Sequence, residues 1–347
     1  MARSIIVFGT FYEKETSPFI IKPKPLFIKP VPARLRLLNF QLLAWYSLSM
    51  SRQSSRHIMM MEPADFYANP QTFETNQYQD MAPTDLWTVH RDSVTEFRGL
   101  RDTLVSHGTI VTTALGAMGC PDDIFVNNWV STHAGRRMVL YPMLAENRRT
   151  ERRPELLEIL TESYDLAFDL SACESEGRFL ESTGSLCQDR VNHVAYAALS
   201  PRTNPDLAKL WCERMDFRLV PFHTRNHADK PVYHTDVMMW IGTTVAGVCA
   251  ECIVPEDRPR VLEALSRTHE IVEISMDQMR SFLGNALEVR GENDGRNLVM
   301  SSCAYRSLTE PQKNTILRHV DRIVHADIPT IERYGGGSAR CMLLEMF

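Results

Sequence analysis

The chain after Met50 is predicted to fold as an alternation of strands and helices, an α/β or α+β architecture. Two kinds of pattern predict it: short apolar or alternating runs bounded by turn residues, and longer stretches whose apolar positions recur three and four residues apart. In chain order, the runs His57–Glu62, Thr109–Thr113, Arg137–Tyr141, Val194–Leu199 and Asn297–Ser301 are predicted strands. Helical spacing runs near 91–106, 153–160 and 257–268. Asn204 followed by Pro205 marks a helix start. The asparagine side chain can accept from first-turn N–H groups, and proline lacks an N–H that this turn would leave unpaired. Leu207, Leu210, Trp211 and Met215 then share one face. Thr309 with Gln312 forms a capping box, and Ile316, Val320 and Ile323 continue behind it at helical spacing. Val245–Val254 reads as a strand carrying Cys249 and Cys252 on opposite faces. The apolar run after Cys341 reads as a buried strand entered from the turn Gly335-Gly336-Gly337. No internal sequence repeat is apparent.

Composition bounds the function. The 347 residues are 44% hydrophobic and 23% charged, enough to bury a large core, with net charge −5 and pI near 6.1. No basic stripe marks a nucleic-acid surface, so small-molecule chemistry is the better expectation. Residues 1–49 differ from the rest. They carry seven basic against two acidic residues and a proline-broken stretch from Pro18 to Pro32. The apolar run Leu37–Leu48 is too short to span a bilayer, and neither a secretory nor an organelle-targeting signal matches well. The expected division is a poorly ordered extension or mis-assigned start over 1–49, and one functional unit over 50–347.

Cys341 follows the glycine turn at the edge of the predicted core. A thiol so placed can be presented as a nucleophile, although a buried cysteine is also an ordinary small hydrophobe. The eight cysteines are scattered, which points to free thiols in a reducing, cytoplasmic setting and not to a disulfide scaffold. Cys249-Ala-Glu-Cys252 has no second pair to complete a metal set. His223 and His227 have the spacing of a helical metal pair but sit among loop residues. No metal or cofactor is expected.

Four fragments define a candidate site: Pro121-Asp122-Asp123-Ile124-Phe125-Val126-Asn127-Asn128-Trp129, Leu180-Glu181-Ser182-Thr183-Gly184-Ser185-Leu186, Tyr233-His234-Thr235-Asp236-Val237, and the glycine–cysteine end. In this order they resemble the guanidino-group-modifying enzymes of the pentein superfamily, which include arginine deiminase, dimethylarginine dimethylaminohydrolase, glycine amidinotransferase and the citrulline-utilisation hydrolases. Glu146–Glu151 and Leu199–Asn204 are similar to substrate-contacting segments of the dimethylarginine hydrolases, and the opening His57–Asn69 is closest to the citrulline-utilisation type. The resemblance covers essentially residues 50–347. It implies a five-bladed α/β propeller of pseudo-repeats around a central channel that holds the active site.

The chemistry expected of such a site can be assigned residue by residue. A guanidinium or ureido carbon is a poor electrophile, so attack needs a thiolate, here Cys341. His234 suits the acid that protonates the departing amine and then the base that activates water. Glu181 matches the family's acid at its position. Asp122, Asn127, Asn128, Arg148, Arg202 and Asp236 are candidate substrate contacts, with Arg148, Arg149 and Arg202 suited to grip an α-carboxylate bidentately. Asn127 and Asn128 stand where the arginine-type enzymes carry acids. Because a buried cation needs a charged partner, their amides favour a neutral ureido group, citrulline first. Asp236 pulls towards a guanidinium. The expected partner is a small amino acid, with no nucleic acid and no membrane, and a homodimer is left open. Dimethylarginine or arginine hydrolysis, amidino transfer and non-catalytic binding on the same propeller stand as alternatives.

Overall fold

The structure, a computed structural model, describes residues 52–82 and 85–347. The expected extension over 1–49 lies outside them. Five three-stranded sheets make up the described residues. The first holds β1 (His57–Glu62) and β2 (Ile110–Leu115), joined by α1 (Leu86–Ser106). The second is β3 (Val130–His133), β4 (Arg137–Leu140), α2 (Pro154–Thr161) and β5 (Asp165–Asp169). Next come β6 (Cys187–Asp189), β7 (Val194–Ala198), α3 (Pro205–Met215) and β8 (Arg218–Phe222). The fourth sheet has β9 (Met239–Ile241), β10 (Val245–Val248), α4 (Arg258–Ser266) and β11 (Glu270–Glu273). The fifth has β12 (Leu287–Arg290), β13 (Arg296–Ser301), α5 (Glu310–Leu317) and β14 (Arg322–Ala326). Finally β15 (Leu344–Met346) returns to pair antiparallel with β1, so strands from both ends of the unit share one sheet.

Each sheet repeats one plan: a first strand antiparallel to the second, then a helical crossover to a parallel third. The first strands β3, β6 and β9 are wholly buried, whereas β5, β11 and β14 at the other edge are largely exposed. Contacts between β15 and β3, β6 and β9, and β9 and β12 bring the first strands together at the centre. This is the five-bladed pentein propeller, and its repeat lies in topology more than in residue identity.

Local chemistry accounts for the elements. β1 has core on both faces: Ile58 and Met60 pack with Phe97, Leu100 and Leu104 of α1, and Met59 and Met61 with Trp129, Val130 and Met138. A strand buried on both sides reads as a continuous apolar run, as Ile58–Met61 does. In α1 the buried positions Val89, Ser93, Phe97, Leu100 and Leu104 follow the three-to-four spacing of a single helix face. Asn204 caps α3 by accepting from the N–H groups of Asp206 and Leu207, and the Thr309–Gln312 capping box opens α5.

Two expectations are corrected. The helix behind Thr309 ends at Leu317, and Val320 and Ile323 belong to the turn and strand beyond it. Their apolar spacing suited either element, since both bury a face. The strand over Val245–Val254 stops at Val248, and Ala250–Cys252 form a 3-10 turn in which Cys252 Sγ lies 3.1 Å from the Cys249 carbonyl oxygen. The two thiols therefore share one turn and do not point to opposite faces.

Candidate active site

Every first strand is entered from a tight turn at the centre of the ring, and each turn carries polar residues there. Val126–Asn128 precedes β3, Ser182–Ser185 precedes β6, Thr235–Val237 precedes β9 and Ala339–Met342 leads to β15. Phe282–Asn285 precedes β12, closed by a bond from Asn285 N–H to the Phe282 carbonyl. The repeat of the fold thus converges five short segments on one point. Gly184 is required there. A Cβ at this position would lie 2.6 Å from Asn128 Nδ2 and 2.8 Å from His234 Nδ1, closer than side-chain packing allows. Of the three glycines before Cys341, only Gly336 takes positive φ (62°), as the C-cap of the Pro329–Gly335 helix. Gly335 and Gly337 are instead crowded by the Phe125 ring.

Cys341, His234, Asp122, Asn128, Arg148 and Arg202 line one small cavity, together with Thr72, Asn76, Tyr233 and the glycine turn. His234 Nε2 lies 2.7 Å from Glu181 Oε2. Burial opposes ionisation of Glu181, but Arg202 at 3.5 Å and the bond to His234 outweigh it and hold the carboxyl down at about 2. The Leu144 N–H also donates to Glu181 Oε1. The carboxylate thus holds the imidazole in place through a short bond.

The Cys341 thiol is pushed up to about 12, first by burial and then by Asp236, whose Oδ2 is 3.7 Å from Sγ. Burial likewise raises the Asp236 carboxyl, with His234 and Arg340 opposing. The resting site therefore holds a neutral thiol. Asn127 stands behind it and donates through Nδ2 to Asp236 Oδ2 (3.2 Å) and to Thr183 Oγ1 (3.3 Å). Asn128 accepts through Oδ1 from Arg148 Nη1 at 2.9 Å. Among these site residues, Asn127 Oδ1, Asn128 Nδ2, Asp122 Oδ1 and Asp236 Oδ1 are buried without a protein partner.

The predicted residues are thus brought together, but the arginines act differently from the expectation. Arg148 spends Nε and Nη2 on both oxygens of Glu151, and Nη2 also donates to the Phe125 carbonyl. Arg202 is held by Glu181, the Thr72 carbonyl and Thr75 Oγ1. Arg149 donates to the Met143 and Leu144 carbonyls. None keeps a free fork for a bidentate α-carboxylate. A basic residue in sequence shows its charge but not the buried carboxylate that consumes it. Asn285, buried completely, was missed: its Nδ2 donates to Cys341 Sγ at 3.2 Å. Nothing in Gly284-Asn285-Ala286 distinguishes it from an ordinary turn before a strand. Among the described residues no cluster suited to a metal ion is present.

A family model for eukaryotic N,N dimethylarginine dimethylhydrolase matches residues 62–347. Among solved structures, the chain is similar to ArgZ, an arginine dihydrolase from the ornithine-ammonia cycle in cyanobacteria, at 18% identity and TM-score 0.65. The match covers 83% of this chain and 40% of that one, so the chain spans 40% of that protein's length. Against the N-terminal domain of ArgZ bound to substrate, identity is 18% and TM-score 0.66, with 83% and 97% covered. Against DDAH from Pseudomonas aeruginosa complexed with citrulline they are 16% and 0.60, with 84% and 100% covered. No curated protein matches the sequence. The family match spans most of the chain and includes all five central turns: the chain belongs to the eukaryotic N,N-dimethylarginine dimethylhydrolase family.

Proposed function

We propose that this chain is a cytoplasmic citrulline hydrolase that releases ornithine and ammonia through a covalent intermediate on Cys341. One observation carries the substrate assignment, the polarity of the two asparagines. Arg148 has only donors, so Asn128 must turn its oxygen to that guanidinium and leave its NH2 unpaired on the side of Gly184 and His234. Asn127 spends its NH2 on Asp236 and Thr183 and leaves its oxygen unpaired. A ureido group offers one acceptor oxygen and N–H donors, which complement one donor and nearby acceptors. A guanidinium offers donors alone and would set an N–H against the Asn128 NH2, leaving that group unsatisfied in a buried site.

In the reaction, Cys341 gives its proton to His234 and attacks the ureido carbon as a thiolate. The C–N bond to the ornithine side breaks as His234 delivers a proton to that nitrogen. Neutral His234 then takes a proton from water, which attacks the carbamoyl carbon and restores the thiolate; the carbamic acid released breaks down to ammonia and carbon dioxide. Glu181 steadies the imidazolium of the first step.

A second assignment, hydrolysis of arginine or dimethylarginine, is favoured by the unpaired Asp236 Oδ1 beside the sulfur, which could pair with a cation. The two are separated by incubating the protein with citrulline, arginine and dimethylarginine and measuring ammonia and product mass, with Cys341→Ser as blank. Ornithine formed from citrulline supports the proposal. Turnover of the cationic substrates with citrulline left intact overturns it.

A further inference from the structure

Cys341 is buried beside a carboxylate, and both conditions disfavour the thiolate that its chemistry needs. Asp236 Oδ2 stands at 3.7 Å, and Tyr233 shares the cavity, its phenol raised by burial. Cationic help comes from Arg340, whose guanidinium is turned away to the Leu343 carbonyl and Glu345. Among the described residues, a side-chain N–H reaches Sγ from Asn285, at 3.2 Å. Its direction is not a matter of amide assignment. Oδ1 accepts from the Arg340 backbone N–H at 3.0 Å, so the NH2 must face the sulfur and the Asp236 carbonyl at 2.8 Å.

We propose that Asn285 is a catalytic residue that stabilises the Cys341 thiolate by donating one N–H to Sγ, while its other N–H and its oxygen hold the two neighbouring turns in register. The geometry separates the two tasks. Three bonds from one amide tie the turn before β12 to the turns that carry Asp236 and Cys341, and only one of them meets the reacting atom. A donor to a thiol is weak, but a donor to a thiolate is a charge-assisted bond, so the interaction strengthens as the nucleophile forms. The inference rests on Cys341 being the nucleophile and is independent of which substrate is used.

Asn285→Asp preserves shape and the acceptor for Arg340 but replaces the donor facing sulfur, and Asn285→Ser is a milder removal. The measurement is the pH dependence of Cys341 alkylation by iodoacetamide in the full chain, located by peptide mass, alongside kcat, KM and thermal midpoint. The alkylation midpoint should rise by about one pH unit or more and kcat should fall about tenfold or more with KM little changed, the scale of one hydrogen bond to a charged group. A merely structural role would lower the thermal midpoint and leave the alkylation midpoint within a few tenths of a unit, and that result overturns the proposal. Should neither variant fold, the side-chain amide signal of Asn285 in the intact protein decides: a shift that titrates with the alkylation midpoint supports the bond, and a signal that does not move overturns it.

Discussion

At the scale of the residue, the site is defined by buried groups whose charges are set by one another. Glu181 illustrates this. Its carboxyl is held at about 2 in the folded chain against an ordinary 4.5, so the folded value lies below the unfolded one. Its ionisation therefore contributes stability that is fully present above about 4.5 and is lost as the pH falls through about 2. Acid unfolding of Glu181→Gln compared with the parent should show a stability difference at pH 6 that narrows between those two values; a difference constant with pH would separate Glu181 from the acid response. The asparagines test recognition in the same way. Asn128→Asp should shift the ratio of kcat/KM for citrulline over arginine towards arginine by about tenfold or more, because the new carboxylate gains a charge-assisted pair only with the cation. Asp236→Asn should shift it the other way. If neither variant moves the ratio, these side chains do not contact the reacting group.

At the scale of the element, function is carried by the turns that open the first strands, and these turns are held by close packing. Gly184 is the tightest point, with Asn128 and His234 occupying the space that a side chain would need. Gly184→Ala should displace one or both and lower kcat by about tenfold or more, the scale expected when reacting groups are misplaced by a fraction of an ångström or more. Steady-state kinetics on the purified variant, with circular dichroism to verify the fold, check this; unchanged kinetics would mean the turn yields without moving the site. This scale also explains what could be read from the sequence. The second strands β1, β4, β7 and β13 and the capped helices α3 and α5 were legible, because long apolar runs and caps are local signals. First strands such as β6 and β9 have three residues each and no period to detect. Cys341, His234 and Glu181 were singled out through their motifs and the structure places them side by side, whereas Asn285 and the inward pairing of Arg148 depend on contacts between distant segments that no local pattern encodes.

At the scale of the whole molecule, the ring explains why residues so far apart in the chain form one site. A five-fold repeat of topology places one turn from each sheet at the centre, although the residues themselves show no repeat. The ring also bears on residues 1–49, which lie outside the described residues and ahead of the family match at residue 62. We propose that the functional unit starts at Met50. A chain beginning there should match the full chain in kcat/KM and thermal midpoint within error, measured side by side. A large loss of either would show that the preceding segment supports the unit.

The pairing of β15 with β1 has a consequence for the birth of the protein. On the ribosome the chain emerges from its amino end, and β1, which finds its parallel partner β2 early, must wait for its antiparallel partner until every other described strand has been made. Cys341 lies just ahead of that partner, so the Cys341 thiol and the strand that completes the first sheet arrive together. A translation product that stops before residue 341 lacks both Cys341 and the third strand of the first sheet.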